Sequence, residues 1–514
     1  MYQTALLLVT GSLRVVSESI GHYLNSANKK VAKCLYVKIE PELCKPFSKS
    51  DSANIGRLST LVPIVYCKAS TICRNIDVRV LLTNALQAKL GNNKSLNFDV
   101  VFTNSNDDSN VNKYVELNFD NRNFDIVKLD NVDITLLENN LTSVSQYKVF
   151  KTVALGGTFD RLHNGHKVLL SEGALRATEK LIVGVSEVNM LKRKTLFELI
   201  EPVDKRISAV KNFLLEMDPS ISYEVVPITD PFGPTIVEPD IDCIVVTTET
   251  KIGGEKVNIE RQKKGMHELT MCVCDLVENT DHSSDEEEKL SSSTKRMHVL
   301  GTPFNNYLNP PSPDQPYHIL LKGHPLSGKS FIANQFEALG MPVINCDKIL
   351  NLILNKDPEL RKYVIDKCPS DLNFTEGSSD IAKFIFICLK NKEVKIGFMK
   401  FVRDKIKSEL QQVLNYHYKK GAPAVLINDS VLFEEELGIE IQENWATILP
   451  ESEYIKNIKE HFNLSDEEAT AVVESLPSNE QYVKMSNVVF CNKWSTDTTK
   501  KQVDKAWNYL ASKL

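Results

Sequence analysis

Apolar positions along this chain gather into short dense runs, separated by longer stretches with helical spacing. In the first third, runs at 6–9, 34–39, 78–82 and 100–102 predict strands, and residues 17–32 predict a helix between them. Residues 104–112, rich in Asn, Asp and Ser, read as a loop. A second series begins at Tyr147. It runs strand (151–155), amphipathic stretch (166–180), strand (181–185), helical stretch (204–215), then strands at 223–227 and 242–247. The β–loop–α–β start is the unit of an open parallel sheet. A third series predicts strands at 318–321, 342–345, 424–427 and 446–449, with helices running to Leu339, from Phe384 onward and over 401–418. Between the last two series the pattern breaks. Asp281-His282-Ser283-Ser284-Asp285-Glu286-Glu287-Glu288 is polar and acidic, and Ser291-Ser292-Ser293 and Pro310-Pro311-Ser312-Pro313 follow, as in a flexible linker. The expected organisation is an N-terminal α/β domain at 1–145, a parallel-sheet nucleotide-binding domain at 146–276, a linker at 277–316 and a second parallel-sheet nucleotide-binding domain at 317–514.

Composition narrows this picture. A length of 514 residues suits about three domains. Hydrophobic residues at 42% and charged residues at 25% are ordinary for globular protein, and a net charge of -6 argues for neither nucleic acid nor a membrane surface as partner. The 11 cysteines, odd in number and scattered, fit reduced thiols in a cytoplasmic compartment. Cys272 and Cys274 stand close together without a second ligand cluster nearby, so packing is the expectation rather than zinc. No run of about 18 apolar residues predicts a transmembrane helix. The short run at 5–9 has no basic stretch before it and reads as a buried strand rather than a leader. Association with mitochondria is left open, and no motif names a protein partner.

Chemistry concentrates first at Gly156-Gly157-Thr158-Phe159-Asp160-Arg161-Leu162-His163-Asn164-Gly165-His166. A glycine-rich turn between strand and helix offers backbone N–H groups and the positive helix end to phosphates. Gly156, Gly157 and Gly165 permit close backbone approach. His163 and His166, three apart, share one side of the first helical turn. Adenylyl transfer to a phosphate is an in-line displacement by a nucleophile that is already anionic. It needs donors and positive charge around the phosphates rather than a strong base. The bland alternative is a tight turn with His163 as a helix cap.

The second motif is Gly323-His324-Pro325-Leu326-Ser327-Gly328-Lys329-Ser330, which satisfies G-x-x-x-x-G-K-[ST] between a strand and a helix. Its N–H groups would cradle ATP phosphates, Lys329 would bridge the β- and γ-phosphates, and Ser330 would bind the Mg²⁺ that arrives with ATP. Pro325 removes one donor.

The first motif resembles the H-x-G-H nucleotidyltransferases. With Lys192-Arg193-Lys194, Asp230-Pro231-Phe232-Gly233-Pro234, Thr248-Glu249-Thr250 and Asn258-Ile259-Glu260-Arg261, the chain resembles the bifunctional coenzyme A synthase family, a phosphopantetheine adenylyltransferase fused to a dephospho-coenzyme A kinase. The resemblance reaches Leu35-Tyr36-Val37 and residues 77–84 in the first domain. It implies a Rossmann-like domain followed by a P-loop kinase domain. It implies adenylyl transfer from ATP to 4′-phosphopantetheine, giving dephospho-coenzyme A, then phosphorylation of the ribose 3′-hydroxyl. It implies Thr158 on the acceptor and α-phosphates, Phe159 beside ATP, His163 on the phosphate chain, His166 on the transition state, Lys192 or Lys194 from a mobile loop, and Arg261 on the triphosphate. In the last domain it implies Asp347 as activator of the 3′-hydroxyl, against the alternative that Asp347 caps a helix, and a glutamate at Glu434 after an apolar run. No tightly bound organic cofactor is expected. The last domain departs from the family in several places. Asn345 and Asn428 replace aspartates, His461 and Val472 stand where lid arginines belong, and 375–380 contains no cation. An adenylyltransferase fused to a degenerate ATP-binding or scaffold module is therefore the alternative.

Overall fold

The computed structural model describes residues 1–43, 52–83, 96–119, 121, 123–130, 147–275, 284–304, 316–367, 380–429 and 439–514. The chain divides into two compact units, Met1–Lys295 and Arg296–Leu514.

The first unit opens with β1 (Tyr2–Thr10), α1 (Leu13–Asn28), β2 (Val31–Glu40), α2 (Ser52–Ile72), β3 (Asp77–Val80), β4 (Val100–Thr103), α3 (Asp108–Asn118) and β5 (Asp125–Lys128). They form a parallel sheet of order β3-β2-β1-β4-β5. Ala5 through Val9 of β1 are all buried, as the centre of a sheet covered on both faces requires. The stretch read as a loop at 104–112 is a loop only to Asp107. The Asp107 carboxylate accepts from the Asn110 N–H at 3.1 Å and starts α3. Asn, Asp and Ser favour caps as strongly as turns, and composition alone does not separate the two.

The same unit continues with β6 (Phe150–Gly157), α4 (Asn164–Arg176), β7 (Ala177–Ser186), α5 (Val203–Met217), β8 (Ser222–Ile228), β9 (Cys243–Thr247), α6 (Lys251–Lys263) and β10 (Thr270–Cys274). The parallel order is β10-β9-β6-β7-β8. The chain builds β6, β7 and β8 outward, then returns to the other side of β6. The first motif leaves the carboxyl end of β6 at this switch, where open α/β sheets bind ligands. The two sheets share one apolar core: Leu24, Val65 and Tyr66 pack in the same cluster as Leu155, Leu170 and Leu175. Cys272 and Cys274 belong to β10, and the Cys272 sulfur lies 3.5 Å from that of Cys243 on β9.

Within the expected linker, residues 277–283 and 305–315 lie outside the described residues. Helix α7 (Ser292–Val299) falls between them and crosses the boundary of the two units.

The second unit contains β11 (Tyr317–Gly323), α8 (Lys329–Ala338), β12 (Val343–Asn345), α9 (Cys346–Lys356), α10 (Pro358–Lys367), α11 (Asp380–Lys390), α12 (Lys392–Lys419), β13 (Ala424–Asn428), β14 (Glu443–Ile448), α13 (Glu451–Phe462), α14 (Asp466–Glu474), α15 (Asn479–Lys484), β15 (Val488–Cys491) and α16 (Thr496–Ala511). Its parallel order, β12-β13-β11-β14-β15, puts β11 at the centre and the second motif at its carboxyl end. Gly323 has φ +145, and a Cβ there would stand 2.3 Å from the Thr447 carbonyl oxygen of β14. Gly323→Ala should destabilise the second unit by at least about 1–3 kcal/mol, the cost of a non-glycine residue in such backbone. A thermal melt with two resolved transitions would show the second alone moving down.

Candidate active sites

The first site is a turn that packs against itself. After β6 the backbone passes through left-handed conformations at Phe159 (φ 50) and Arg161 (φ 48), rare for side-chain-bearing residues. Phe159 is fully buried, with its ring centroid 5.3 Å from that of His166. A Cβ on Gly157 would sit 3.0 Å from the Phe159 ring, and one on Gly165 would sit 3.1 Å from the His163 ring. Two of the motif's glycines thus stand tight against the motif's own rings, before any ligand is considered. His163 and His166 stack with centroids 3.8 Å apart and planes 24° from parallel. His163 occupies the N-cap position of α4, yet its side chain makes no cap hydrogen bond, which removes the cap reading of the imidazole.

Buried polar side chains hold the turn from below. Asp160, fully buried, accepts from the Glu201 N–H at 3.0 Å and from Arg161 Nη1 at 3.1 Å, and Arg161 Nη1 also reaches the Leu199 carbonyl at 2.8 Å. Arg206, also fully buried, donates Nη1 to the Thr158 carbonyl at 2.7 Å and Nε to the Glu201 carbonyl at 2.8 Å. Ser292 Oγ donates to the Asp160 carbonyl at 3.1 Å. Asp160 and Arg161 lie inside the motif itself, whereas Arg206 looks like any polar residue of an amphipathic helix.

Burial pushes the His166 imidazole down to about 4, with Asp160 opposing the shift and Lys194 adding to it. His166 is therefore a neutral ring at physiological pH, able to donate one hydrogen bond. Lys192, Arg193 and Lys194 are all exposed, and of the two candidate lysines Lys194 is the one whose charge acts on His166. Arg261 does not meet its expectation. It is fully buried, and its guanidinium donates to the carbonyls of His267 (2.7 Å), Thr235 (2.6 Å), Glu238 (2.9 Å) and Pro239 (3.2 Å). It pins the turn at 235–239, with four of its five N–H groups given to these carbonyls. The N-x-x-R spacing marks a helix face and carries no sign of which way the guanidinium turns.

In the second unit, Lys329 Nζ donates to the carbonyls of Gly323 and His324, each at 2.8 Å, so the lysine lies across the mouth of its own loop. Burial lowers its ammonium to about 8, against the pull of Asp347 and Asp429. Asn492 Nδ2 donates to the Ser327 carbonyl at 2.7 Å. His324 is buried, stacks on Tyr454 at 4.4 Å and hydrogen-bonds the Pro477 carbonyl at 2.7 Å. This loop anchor was not legible, because that motif position accepts any residue.

A cavity of about 680 Å³ opens over the loop, with Lys329, Ser330, Asp347, Asn428, Asp429 and His461 among its walls. Asn345 caps α9, its Oδ1 accepting from the N–H groups of Asp347 (2.9 Å) and Lys348 (3.2 Å). The helix therefore does not use Asp347 as its cap. Asp347 lines the cavity, with one carboxylate oxygen buried and unbonded. His461 lines it too, whereas Val472 is buried in α14. Among the described residues no arginine lines the cavity. Glu434 and residues 375–379 lie outside the described residues.

Residues 154–297 match the cytidylyltransferase-like family, residues 317–498 the dephospho-CoA kinase family, and residues 3–108 the COASY N-terminal domain. A phosphopantetheine adenylyltransferase of Methanopyrus kandleri is 35% identical over 150 residues, which is 29% of this chain and 91% of that protein. One of Saccharomyces cerevisiae is 39% identical over 148 residues, 29% of this chain and 48% of that protein. An uncharacterized protein of Schizosaccharomyces pombe is 40% identical over 156 residues, 30% and 49% of the two chains. The chain thus spans about half the length of the two fungal relatives. No helix among the described residues is long and apolar enough to cross a membrane.

Two outcomes follow from this geometry. His166 titrates near 4 when folded and near ~6.5 when unfolded, so the unfolded chain binds the extra proton in that window. Stability of the first unit should fall as pH drops from ~6.5 toward 4, and His166→Gln should flatten that fall in melts run across the window. Arg261→Ala strands several buried carbonyls and should lower the first unit's stability by at least about 2 kcal/mol, with the KM for ATP unchanged in the protein that remains folded.

Proposed function

Because this chain belongs to the phosphopantetheine adenylyltransferase family, we propose that its first site transfers the adenylyl group of ATP to 4′-phosphopantetheine. The carrying observation is the stacked His163–His166 pair on the opening turn of α4, at the carboxyl end of the central strand. A phosphate oxygen of the acceptor attacks the α-phosphorus in line. The bond from that phosphorus to the bridging oxygen breaks, and pyrophosphate leaves with the electron pair. His166, neutral, donates to the oxygens of the five-coordinate phosphorus, and His163 lies one ring away along the phosphate chain. Thr158 and the first N–H groups of α4 receive the acceptor and α-phosphates. Lys194, with Lys192 beside it, adds charge from the exposed loop.

The second unit is then the kinase for the product, dephospho-coenzyme A. Lys329 would release the loop carbonyls for the β- and γ-phosphates, and Ser330 would ligate the Mg²⁺ carried by ATP. Asp347 would accept the proton of the ribose 3′-hydroxyl; its unbonded buried oxygen over the cavity supports that role. The absence of arginine from the described cavity wall favours a second reading, an ATP-binding module that transfers poorly, because arginine charge is worth ~10³-fold or more in related phosphoryl transfers.

The test is product formation by paired variants. His166→Ala should cut dephospho-coenzyme A formation ~10²-fold or more and leave phosphorylation of supplied dephospho-coenzyme A intact. Lys329→Ala should do the reverse. Loss of the first product in Lys329→Ala would refute two separate sites. No phosphorylation of supplied dephospho-coenzyme A by the unaltered chain would establish the second reading.

A further inference from the structure

The first motif helix is held from outside its own sheet. Asn164, between the two motif histidines, donates Nδ2 to Ser70 Oγ at 3.0 Å and to the Tyr66 carbonyl at 3.3 Å, both on α2. Lys167, the residue after His166, is buried; its Nζ donates to the Val78 carbonyl at 2.8 Å, pairs with the Asp77 carboxylate and lies 5.8 Å from the Tyr66 ring centroid. Asp77 also pairs with Arg79 at 2.7 Å, and Arg79 pairs in turn with Glu216 on α5. One turn further along α4, Ser59 Oγ donates to Glu172 at 2.9 Å. Every one of these partners on the N-terminal side precedes residue 84, in the domain to which no chemistry had been attached.

The turn that feeds α4 needs such a restraint. Two side-chain-bearing residues in left-handed backbone persist only where surroundings over-determine them. The stacked imidazoles sit on the first helical turn, the one most prone to fray. A helix start that tilts by a fraction of an ångström parts the two rings and moves their donors off the phosphate chain. The clamp grips at positions 164 and 167, bracketing His166, and so fixes both the azimuth and the tilt of that turn.

We propose that Ser70 and Asp77 of the N-terminal domain are positioning residues for adenylyl transfer, holding the first turn of α4 through Asn164 and Lys167. The N-terminal domain is then a working part of the first site. This rests on the reading of that site given above.

The test uses the full chain with 4′-phosphopantetheine, ATP and Mg²⁺. Asp77→Asn keeps the shape and removes the charge that neutralises Lys167; kcat should fall ~10-fold, since small misplacements at a site cost up to ~10²-fold. The KM for ATP should stay within about twofold, because the phosphate-binding groups are all retained. Asp77→Glu should recover part of kcat. Ser70→Ala removes only a hydroxyl, which accepts from Asn164 and donates to the Tyr66 carbonyl within α2, so it leaves the fold intact and decides the matter if Asp77→Asn melts too low to assay; its kcat should fall ~3-fold at an unchanged first melting transition. A Ser70→Ala protein with unaltered kcat, or an Asp77→Asn protein that loses only thermal stability, overturns the proposal. If the unaltered chain forms no dephospho-coenzyme A, the adenylyltransferase reading itself fails, which is a separate result.

Discussion

The stacking of His163 on His166 is the contact around which the first unit is arranged. Two imidazoles 3.8 Å apart repel one another if both are charged, and burial removes that repulsion by keeping His166 neutral. Phe159 packs 5.3 Å from the His166 ring, and Gly157 and Gly165 leave room against the Phe159 and His163 rings. The segment at 199–206 meets the turn through buried groups: the Glu201 N–H donates to Asp160, and Arg206 donates to the Thr158 carbonyl. The glycines of the motif therefore answer to packing within the turn. A Cβ at Gly157 would press on the Phe159 ring, and one at Gly165 on the His163 ring.

The second unit solves its electrostatics differently. Its loop lysine is tied to loop carbonyls, and its cavity wall places two aspartates beside one lysine and one histidine. Phosphoryl transfer needs positive charge around the γ-phosphate, and among the described residues of this wall Lys329 is the only lysine or arginine. His324, stacked on Tyr454 of α13, ties the loop to the helix that carries His461. His324 thus joins the loop to α13 through a buried ring.

The sequence was informative where backbone and chemistry coincide. Strand–turn–helix context and the spacing of His163, His166 and Lys329 placed both motifs at the carboxyl ends of central strands. It was silent on direction. Arg261 sits at the expected spacing, but its guanidinium turns inward to carbonyls. Asn345 looked like a lost aspartate, and it is the cap that spares Asp347. Residues 104–112 carried cap composition and were read as loop. Long-range supports such as Ser70–Asn164 and Asp77–Lys167 join positions about ninety residues apart, and no local pattern encodes such a pairing.

The central claim is that the paired imidazoles move an adenylyl group. It is tested most directly by following ATP labelled on its α-phosphorus through one incubation with 4′-phosphopantetheine and Mg²⁺. The account expects the label in dephospho-coenzyme A, or in coenzyme A formed from it, with one pyrophosphate released per labelled product. Label remaining in ATP, or appearing only in ADP, would contradict it.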